Sequence, residues 1–321
     1  MGEFELIERF FKRPARHADL GVGDDCALLS PRPGHQLALS VDALVEGRHF
    51  LSTVAPERLG HKCLAVNLSD LAACGAQPRA FLLSLTLPRA DADWLQAFAQ
   101  GLFALADAHG CELVGGDTTQ GPLNIGITVI GDVPTGRALL RSGARVGDDI
   151  YVSGQLGDAR LALEAFRGQL SLPESVFKTC RARMEQPSPR VALGLALRGV
   201  ASAAADISDG LLGDLGHILR QSGVGARLQL ADCEALLGCR TQLSLESRWV
   251  HTAVLSGGDD YELVFTAPVA QRAAVAQAAQ TSQTPVQRIG QIEAEPGTRL
   301  LDAKGQAVDI ALASFDHFAR S

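Results

Sequence analysis

The residues best equipped for chemistry in this chain are carboxylates set beside glycines or other small residues. They are Asp24 and Asp25 after Gly21-Val22-Gly23, Asp42 after Ser40-Val41, Asp70, Asp117 after Gly115-Gly116, and Asp206 and Asp209 flanking Ile207-Ser208. Each falls where a strand is predicted to end or a helix to begin, and in an α/β sheet such ends gather along one edge. Asn67 and Asp70 stand three apart on a predicted helix and can look the same way. Dispersed hard oxygen donors without a His/Cys cluster suit Mg²⁺ better than zinc. Magnesium takes one or two carboxylates, and water and phosphate oxygens complete its octahedron.

Taken singly, each piece has a structural reading too. Asp24-Asp25 beside glycine makes a turn. Asp117 with Thr118-Thr119, and Ser208 or Asp209 before Leu211, Leu212 and Leu215, make helix caps or turns. Gly115-Gly116-Asp117 has more specific physics, because two glycines let backbone approach a phosphate while the aspartate holds a metal riding on it. Gly257-Gly258-Asp259-Asp260 repeats that pattern, although a hairpin turn explains it equally. Arg141 offers a fork of donors suited to a nucleotide phosphate, or is an ordinary surface arginine. Asp148-Asp149 reads as a plain strand entry. The usual nucleotide signatures are missing: there is no G-x-x-x-x-G-K-[ST], no H-R-D loop and no G-x-G-x-x-G after a strand.

The elements that must position these acids interleave. In the first part the pattern predicts helices over 3–12, 56–74 and 91–109. Strands are predicted over 36–41 (delivering Asp42 at its end), 80–87, 112–114 and 124–133. A Gly/Arg/Ser-rich stretch over 134–146 reads as a junction. Beyond it come strands over 149–153, 201–207, 226–230 and 261–266 with two short ones near 286 and 300. Helices are predicted over 158–166, onward to about 198, and over 209–221 and 268–281. The expectation is two α/β sandwich domains with mixed sheets, over 1–136 and 137–321.

With 321 residues, two domains are the natural expectation. Hydrophobic residues at 46% exclude general disorder, and a net charge of −7 with scattered Lys and Arg argues against a nucleic-acid partner. Seven cysteines, odd in number and without a C-x-x-C pair, point to small buried thiols in a reducing compartment, not to a disulfide framework or a zinc site. The N-terminus lacks the features of a signal peptide, and no apolar run is long enough to span a bilayer, so the expectation is a cytoplasmic protein with no membrane partner.

Several segments now stand in a telling order: Gly21-Val22-Gly23-Asp24-Asp25-Cys26-Ala27, Ser40-Val41-Asp42, Asn67-Leu68-Ser69-Asp70-Leu71-Ala72, Gly115-Gly116-Asp117-Thr118-Thr119, Arg141-Ser142-Gly143, Asp206-Ile207-Ser208-Asp209-Gly210-Leu211, Ser256-Gly257-Gly258-Asp259-Asp260-Tyr261-Glu262-Leu263 and Phe315-Asp316-His317-Phe318. In this order the chain resembles the thiamine-monophosphate kinases over essentially its whole length. The resemblance implies the fold shared with aminoimidazole ribonucleotide synthetase and selenophosphate synthetase, with an N-terminal domain that forms a homodimer through a shared barrel. It implies ATP-dependent phosphorylation of thiamine monophosphate with several Mg²⁺ ions. Carried over by position, Asp25, Ser40, Val41, Asp42, Asp70, Asp117, Asp206 and Asp209 resemble the metal ligands. Gly116, Asp117, Arg141 and Ser208 resemble the ATP contacts, and His49, Asp259 and Phe315 the contacts to the thiamine-bearing substrate.

Three positions depart from the family pattern. Val41 stands where threonine is expected, so only its backbone carbonyl could serve as a ligand. Asp259 replaces a common glutamate and reaches less far. Phe315 keeps an aromatic face without the polar handle of Tyr or Trp. Joining two anionic phosphates requires their repulsion to be neutralised, and a phosphate monoester is already largely ionised, so no protein general base is expected. The aspartates are therefore expected to bind metal, with direct in-line transfer and no phosphoenzyme. Rival readings are another enzyme of the same fold or a non-catalytic metal-binding scaffold. A selenophosphate synthetase would want a lysine close to a reactive cysteine, and Cys26 has none nearby in sequence.

Overall fold

The computed structural model describes residues 2–310, so Phe315 lies outside the described residues. Two compact units divide the described residues: one includes residues 2–71 and Ala76–Ala138, the other Ala72–Gly75 and residues 139–310.

The first unit opens with α1 (Glu3–Leu6), which runs into a π-helical turn at Ile7–Phe11. Then follow β1 (His35–Val45), α2 (Pro56–Ala73), β2 (Gln77–Leu87), α3 (Ala92–His109), β3 (Glu112–Gln120) and β4 (Asn124–Pro134). Asp91 caps α3 by accepting from the Trp94 amide at 3.1 Å, and Gly110, at φ 59°, ends it. The four strands form one mixed open sheet in the order β1-β4-β2-β3, so β1 and β3 are its edges. No closed barrel is present among the described residues.

Register fixes what β1 presents. It pairs antiparallel with β4 along its whole length, placing Ser40 opposite Val129, Asp42 opposite Ile127 and Leu44 opposite Ile125. Directly paired residues share a face. Ser40 and Asp42 therefore lie on the inner face, with Ile125, Ile127 and Val129 fully buried there. Leu39 and Val41 point the other way and are 64% and 65% exposed.

The second unit contains β5 (Asp149–Ser153), α4 (Asp158–Phe166), α5 (Glu174–Glu185), α6 (Val191–Ala196), β6 (Ala203–Ile207), α7 (Leu211–Ser222), β7 (Gly225–Gln229), α8 (Leu230–Glu234), α9 (Ser247–Ser256), β8 (Glu262–Ala267), α10 (Arg272–Thr281), β9 (Val286–Glu293), β10 (Gly297–Leu301) and β11 (Ala307–Val308). Its seven strands form one mixed sheet in the order β11-β10-β7-β9-β5-β8-β6. Every residue of β5, β6 and β8 is buried, and Ile150, Val152, Ile207, Leu211, Leu215 and Val264 belong to one core. Strands covered on both faces read as unbroken apolar runs. Asp149 is a structural acid: Arg272 donates to it at 2.6 and 2.9 Å and Arg288 at 3.2 Å. The Arg272 hydrogen bond, against the opposing effect of burial, holds its carboxyl below the usual range.

The mixed α/β architecture matches the expectation, but three local expectations need correcting. Asp42 and Asp117 lie inside strands rather than at strand ends, because β1 and β3 continue to Val45 and Gln120. Asp70 sits near the end of α2, not at a helix start. Gly257-Gly258 is no hairpin turn; it joins α9 to β8.

Candidate functional site

In the first unit, α2 and β1 bring four predicted residues together. Ser40 Oγ donates to Asp70 Oδ2 at 2.5 Å. The Asp42 amide donates to Asn67 Oδ1 at 3.1 Å, while Asn67 Nδ2 donates to the Cys63 carbonyl at 2.9 Å. Asn67 is fully buried and tied at both ends of its amide, so it clamps β1 to α2. The three-residue spacing of Asn67 and Asp70 thus does face both toward one strand.

Asp117 occupies the opposite edge. One register row runs Asp42, Ile127, Leu83, Gly116, so Asp117 lies beside the end of that row, three strand spacings or about 14 Å across a flat sheet. Gly116 is required there: its φ is 150°, and a Cβ would sit 1.9 Å from the Leu83 carbonyl oxygen. The glycine thus lets β3 approach β2 and leaves Asp117 exposed at the rim. Asp25 lies in an exposed loop, where its amide donates to Asp24 Oδ1 at 2.9 Å. Val41 projects from the face opposite Ser40 and Asp42, so its side chain cannot join their set. No three of the predicted aspartates place carboxylate oxygens within 4.8 Å of one another among the described residues.

His49 follows β1 in a tight loop. Its Nδ1 accepts from the Val45 amide at 3.0 Å, and its carbonyl accepts from Lys62 Nζ at 3.2 Å. An amide donating to Nδ1 leaves the proton of the neutral ring on Nε2. Lys62 is only 2% exposed. Sequence reading missed it, and its signal was a lysine within the apolar stretch of α2.

In the second unit two connections interlock. Asp206, buried, is the penultimate residue of β6, and Ser208 and Asp209 lead into α7. The Asp259 amide donates to the Ser208 carbonyl at 2.8 Å, and the Tyr261 amide to the Ile207 carbonyl at 2.9 Å. Asp259 and Tyr261 take φ of 64° and 53°, conformations costly outside glycine and held by these bonds. Gly258 is needed for the approach, since a Cβ would lie 2.5 Å from the Ser208 oxygen.

Asp214, on the buried stripe of α7, accepts from the Ser208 and Asp209 amides at 3.0 Å each and so shapes the turn that presents both residues. Burial pushes its carboxyl up to about 7. It too was missed, although a carboxylate amid Leu211, Leu215 and Ile218 is a visible anomaly. The positive charge of Arg141 acts on both Asp214 and His217, which places its field at the start of α7. Asp260 is buried, which holds its carboxyl well above the usual range against the opposing hydrogen bond that it accepts from the Gly157 amide at 2.9 Å.

Both halves match known families in order: residues 23–133 match the AIR synthase related protein N-terminal domain, and residues 145–303 the corresponding C-terminal domain. The chain is an AIR synthase related protein. Across 327 residues it is 44% identical to the thiamine-monophosphate kinase of Salmonella typhimurium, covering 99% of this chain and 98% of that one. It belongs to the thiamine-monophosphate kinase family. A crystal structure of thiamine-monophosphate kinase from Stenotrophomonas maltophilia K279a aligns with TM-score 0.85 at 44% identity, covering 96% of this chain and 98% of that one. A second solved structure, AaThiL complexed with AMPPCP and TMP, aligns with TM-score 0.75 at 29% identity over 90% of this chain and 89% of that one.

Proposed function

We propose that this protein phosphorylates thiamine monophosphate to thiamine diphosphate with ATP, by direct in-line transfer. The observation that carries the reading is the presence of both folded units with the ordered Asp/Gly segments on them, in a chain 44% identical to a thiamine-monophosphate kinase over nearly its full length. A structure of a 29% identical relative is described as a complex with AMPPCP and TMP, an occupancy that fits a nucleotide and a phosphate acceptor bound together.

The donors of each unit suit magnesium by their chemistry: Asp25, Ser40, Asp42, Asp70, Asp117 and the Val41 carbonyl in the first, and Asp206 and Asp209 in the second, are hard oxygens without thiol or imidazole. When bound, Mg²⁺ would neutralise and align the phosphate oxygens of donor and acceptor. Within the chain, Asn67 holds the β1 backbone at Asp42, and Asp70 fixes the Ser40 hydroxyl. Gly116 leaves room for phosphate beside Asp117, while Arg141 and Ser208 donate to the nucleotide. Asp214 holds the turn that carries Ser208 and Asp209. His49, Asp259 and Phe315 are assigned to the acceptor, His49 through the Nε2 proton left by the Val45 contact. No protein base is needed, because the attacking monoester is already ionised.

An ADP-release assay with and without thiamine monophosphate tests the reaction. A chiral γ-thiophosphate donor should give inversion at phosphorus, whereas retention would require a phosphoenzyme. ATP binding without turnover would favour the scaffold reading. His49→Ala should raise KM for thiamine monophosphate about tenfold while moving KM for ATP less than twofold, a loss on the scale of one charge-assisted hydrogen bond. The opposite pattern would move His49 to the nucleotide side.

The active form is proposed to be a cytoplasmic homodimer. β1 is an edge strand whose outward face carries Leu37, Leu39, Val41 and Val45, all exposed in the single chain. An apolar, unpaired edge invites burial by a second copy, which would complete the barrel that one sheet leaves open. No described helix is long and apolar enough to cross a membrane. Leu39→Asp should convert a dimer into a monomer at micromolar concentration by light scattering. A wild-type monomer under those conditions would refute the assembly.

A further inference from the structure

One cluster of ligating side chains uses none of the residues assigned above. Asp158, Cys180 and Cys239 bring their carboxylate and thiol atoms within 4.8 Å of one another, all inside the second unit. The three come from separate segments: Asp158 begins α4, Cys180 lies on α5, and Cys239 follows α8 just before the short turn Arg240–Gln242. Their exposures are 5%, 0% and 1%.

The chain is drawn tightly to this point. The Cys239 amide donates to Asp158 Oδ1 at 3.0 Å, and a Cβ at Gly238 would lie 2.3 Å from Asp158 Oδ2. Burial raises the Asp158 carboxyl, and a hydrogen bond with Cys180, followed by burial, raises the Cys239 thiol. These shifts favour the protonated groups when no cation is present, and a bound cation would hold them ionised, since charged groups persist in protein interiors when they are paired or coordinate metal. Two sulfurs and one carboxylate oxygen, converging from three elements, form a mixed donor set that differs in kind from the all-oxygen set assigned to magnesium.

We propose that Asp158, Cys180 and Cys239 form a site for one thiophilic divalent cation of the zinc class, joining α4, α5 and the segment after α8. Zinc holds sulfur at about 2.3 Å and carboxylate oxygen at about 2.0–2.2 Å, so the edges of its tetrahedron measure about 3.5–3.8 Å. The three ligand atoms lie no more than 4.8 Å apart, so side-chain rotation can bring them onto those edges. Binding exchanges two thiol protons for the cation and forms two metal–sulfur bonds and one metal–oxygen bond. The protons leave to solvent; the cation's charge balances the two thiolates, and the one negative charge left by the Asp158 carboxylate lies in the positive field of Arg183. Three protein ligands leave one position for water. Magnesium does not compete, since thiolates select softer ions and Mg²⁺ selects oxygen.

The test uses the full chain, reduced, stripped with a chelator and titrated with Co²⁺ in buffer containing Mg²⁺. One equivalent should produce a thiolate-to-cobalt charge-transfer band of two-sulfur intensity with the visible bands of tetrahedral cobalt. Zn²⁺ should bleach both and raise the melting temperature by mass action. Cys26→Ser should retain the spectrum, and Cys180→Val and Cys239→Val should each lose it. Should the valine variants fail to fold, the wild-type titration still decides, because band intensity separates two thiolates from one. A silent wild-type titration, or a band that survives both valine substitutions, overturns the site and leaves a metal-free, hydrogen-bonded cluster.

Discussion

Asp42→Asn and Asp117→Asn should each lower kcat on the order of 10²-fold or more, with circular dichroism and melting temperature unchanged. The contacts that tie both positions into the sheet are made by backbone, which the substitutions leave in place. Asp42 contributes its backbone to the ladder with β4 and to Asn67, and both contacts survive the substitution. Asp117 is exposed, and Gly116, not Asp117, sets the approach of β3 to β2. What each variant loses is one negative charge from the proposed magnesium set, so the effect should fall on turnover rather than stability. Raised Mg²⁺ should recover part of the loss if the defect is weakened metal binding. Near-normal turnover in both variants would return these residues to strand surface and turn, and would leave the kinase reading resting on other groups.

The sequence made the elements of the first unit legible because their periodicities are clean. Alternation marked β1, and Leu64, Leu68 and Leu71 marked α2, now fully buried. The end of β1 was misplaced because Asp42 interrupts an apolar pattern. The strand nevertheless continues, since Asn67 satisfies the backbone at that point and Leu44 restores the inward face. The glycines of Gly115-Gly116 likewise read as a strand end, yet they permit the close approach to Leu83 that keeps β3 in the sheet.

In the second unit α9 was missed, so Gly257-Gly258 looked like a hairpin instead of a helix-to-strand connection. The site residues announced themselves by type and neighbours, but their supports did not. Asp214 and Lys62 act through backbone groups of residues distant in sequence or across a loop, and only folding brings those groups to them. The buried trio at Asp158 was equally hidden, because its members are spread across α4, α5 and the segment after α8 with no spacing that signals a metal site.

Glu262→Gln should destabilise the second unit by about 3–5 kcal/mol, the scale observed when one partner of a buried ionic network is removed. Glu262 is fully buried at the start of β8. Its carboxylate accepts from Ser153 Oγ at 2.6 Å, Arg183 at 3.0 Å, and Arg190 through two nitrogens at 2.6 and 2.5 Å. Glutamine keeps the volume but turns one end into a donor facing donors, leaving guanidinium charge uncompensated. For a unit of this size the melting temperature should fall by roughly 6–20 °C.

The consequence also reaches the site, because β8 is preceded immediately by the segment carrying Asp259. Tyr261 and Asp259 are tied to Ile207 and Ser208 by the two amide bonds across the connections. A loosened start of β8 should let that strained segment relax, so kcat/KM should drop even at temperatures where the variant remains folded. Glu262→Asp, which retains the charge on a shorter stem, should recover part of both losses. A Glu262→Gln protein that melts within about 0.5 kcal/mol of wild type would show that the two arginines find other partners, and that Glu262 is not what holds β8 in place.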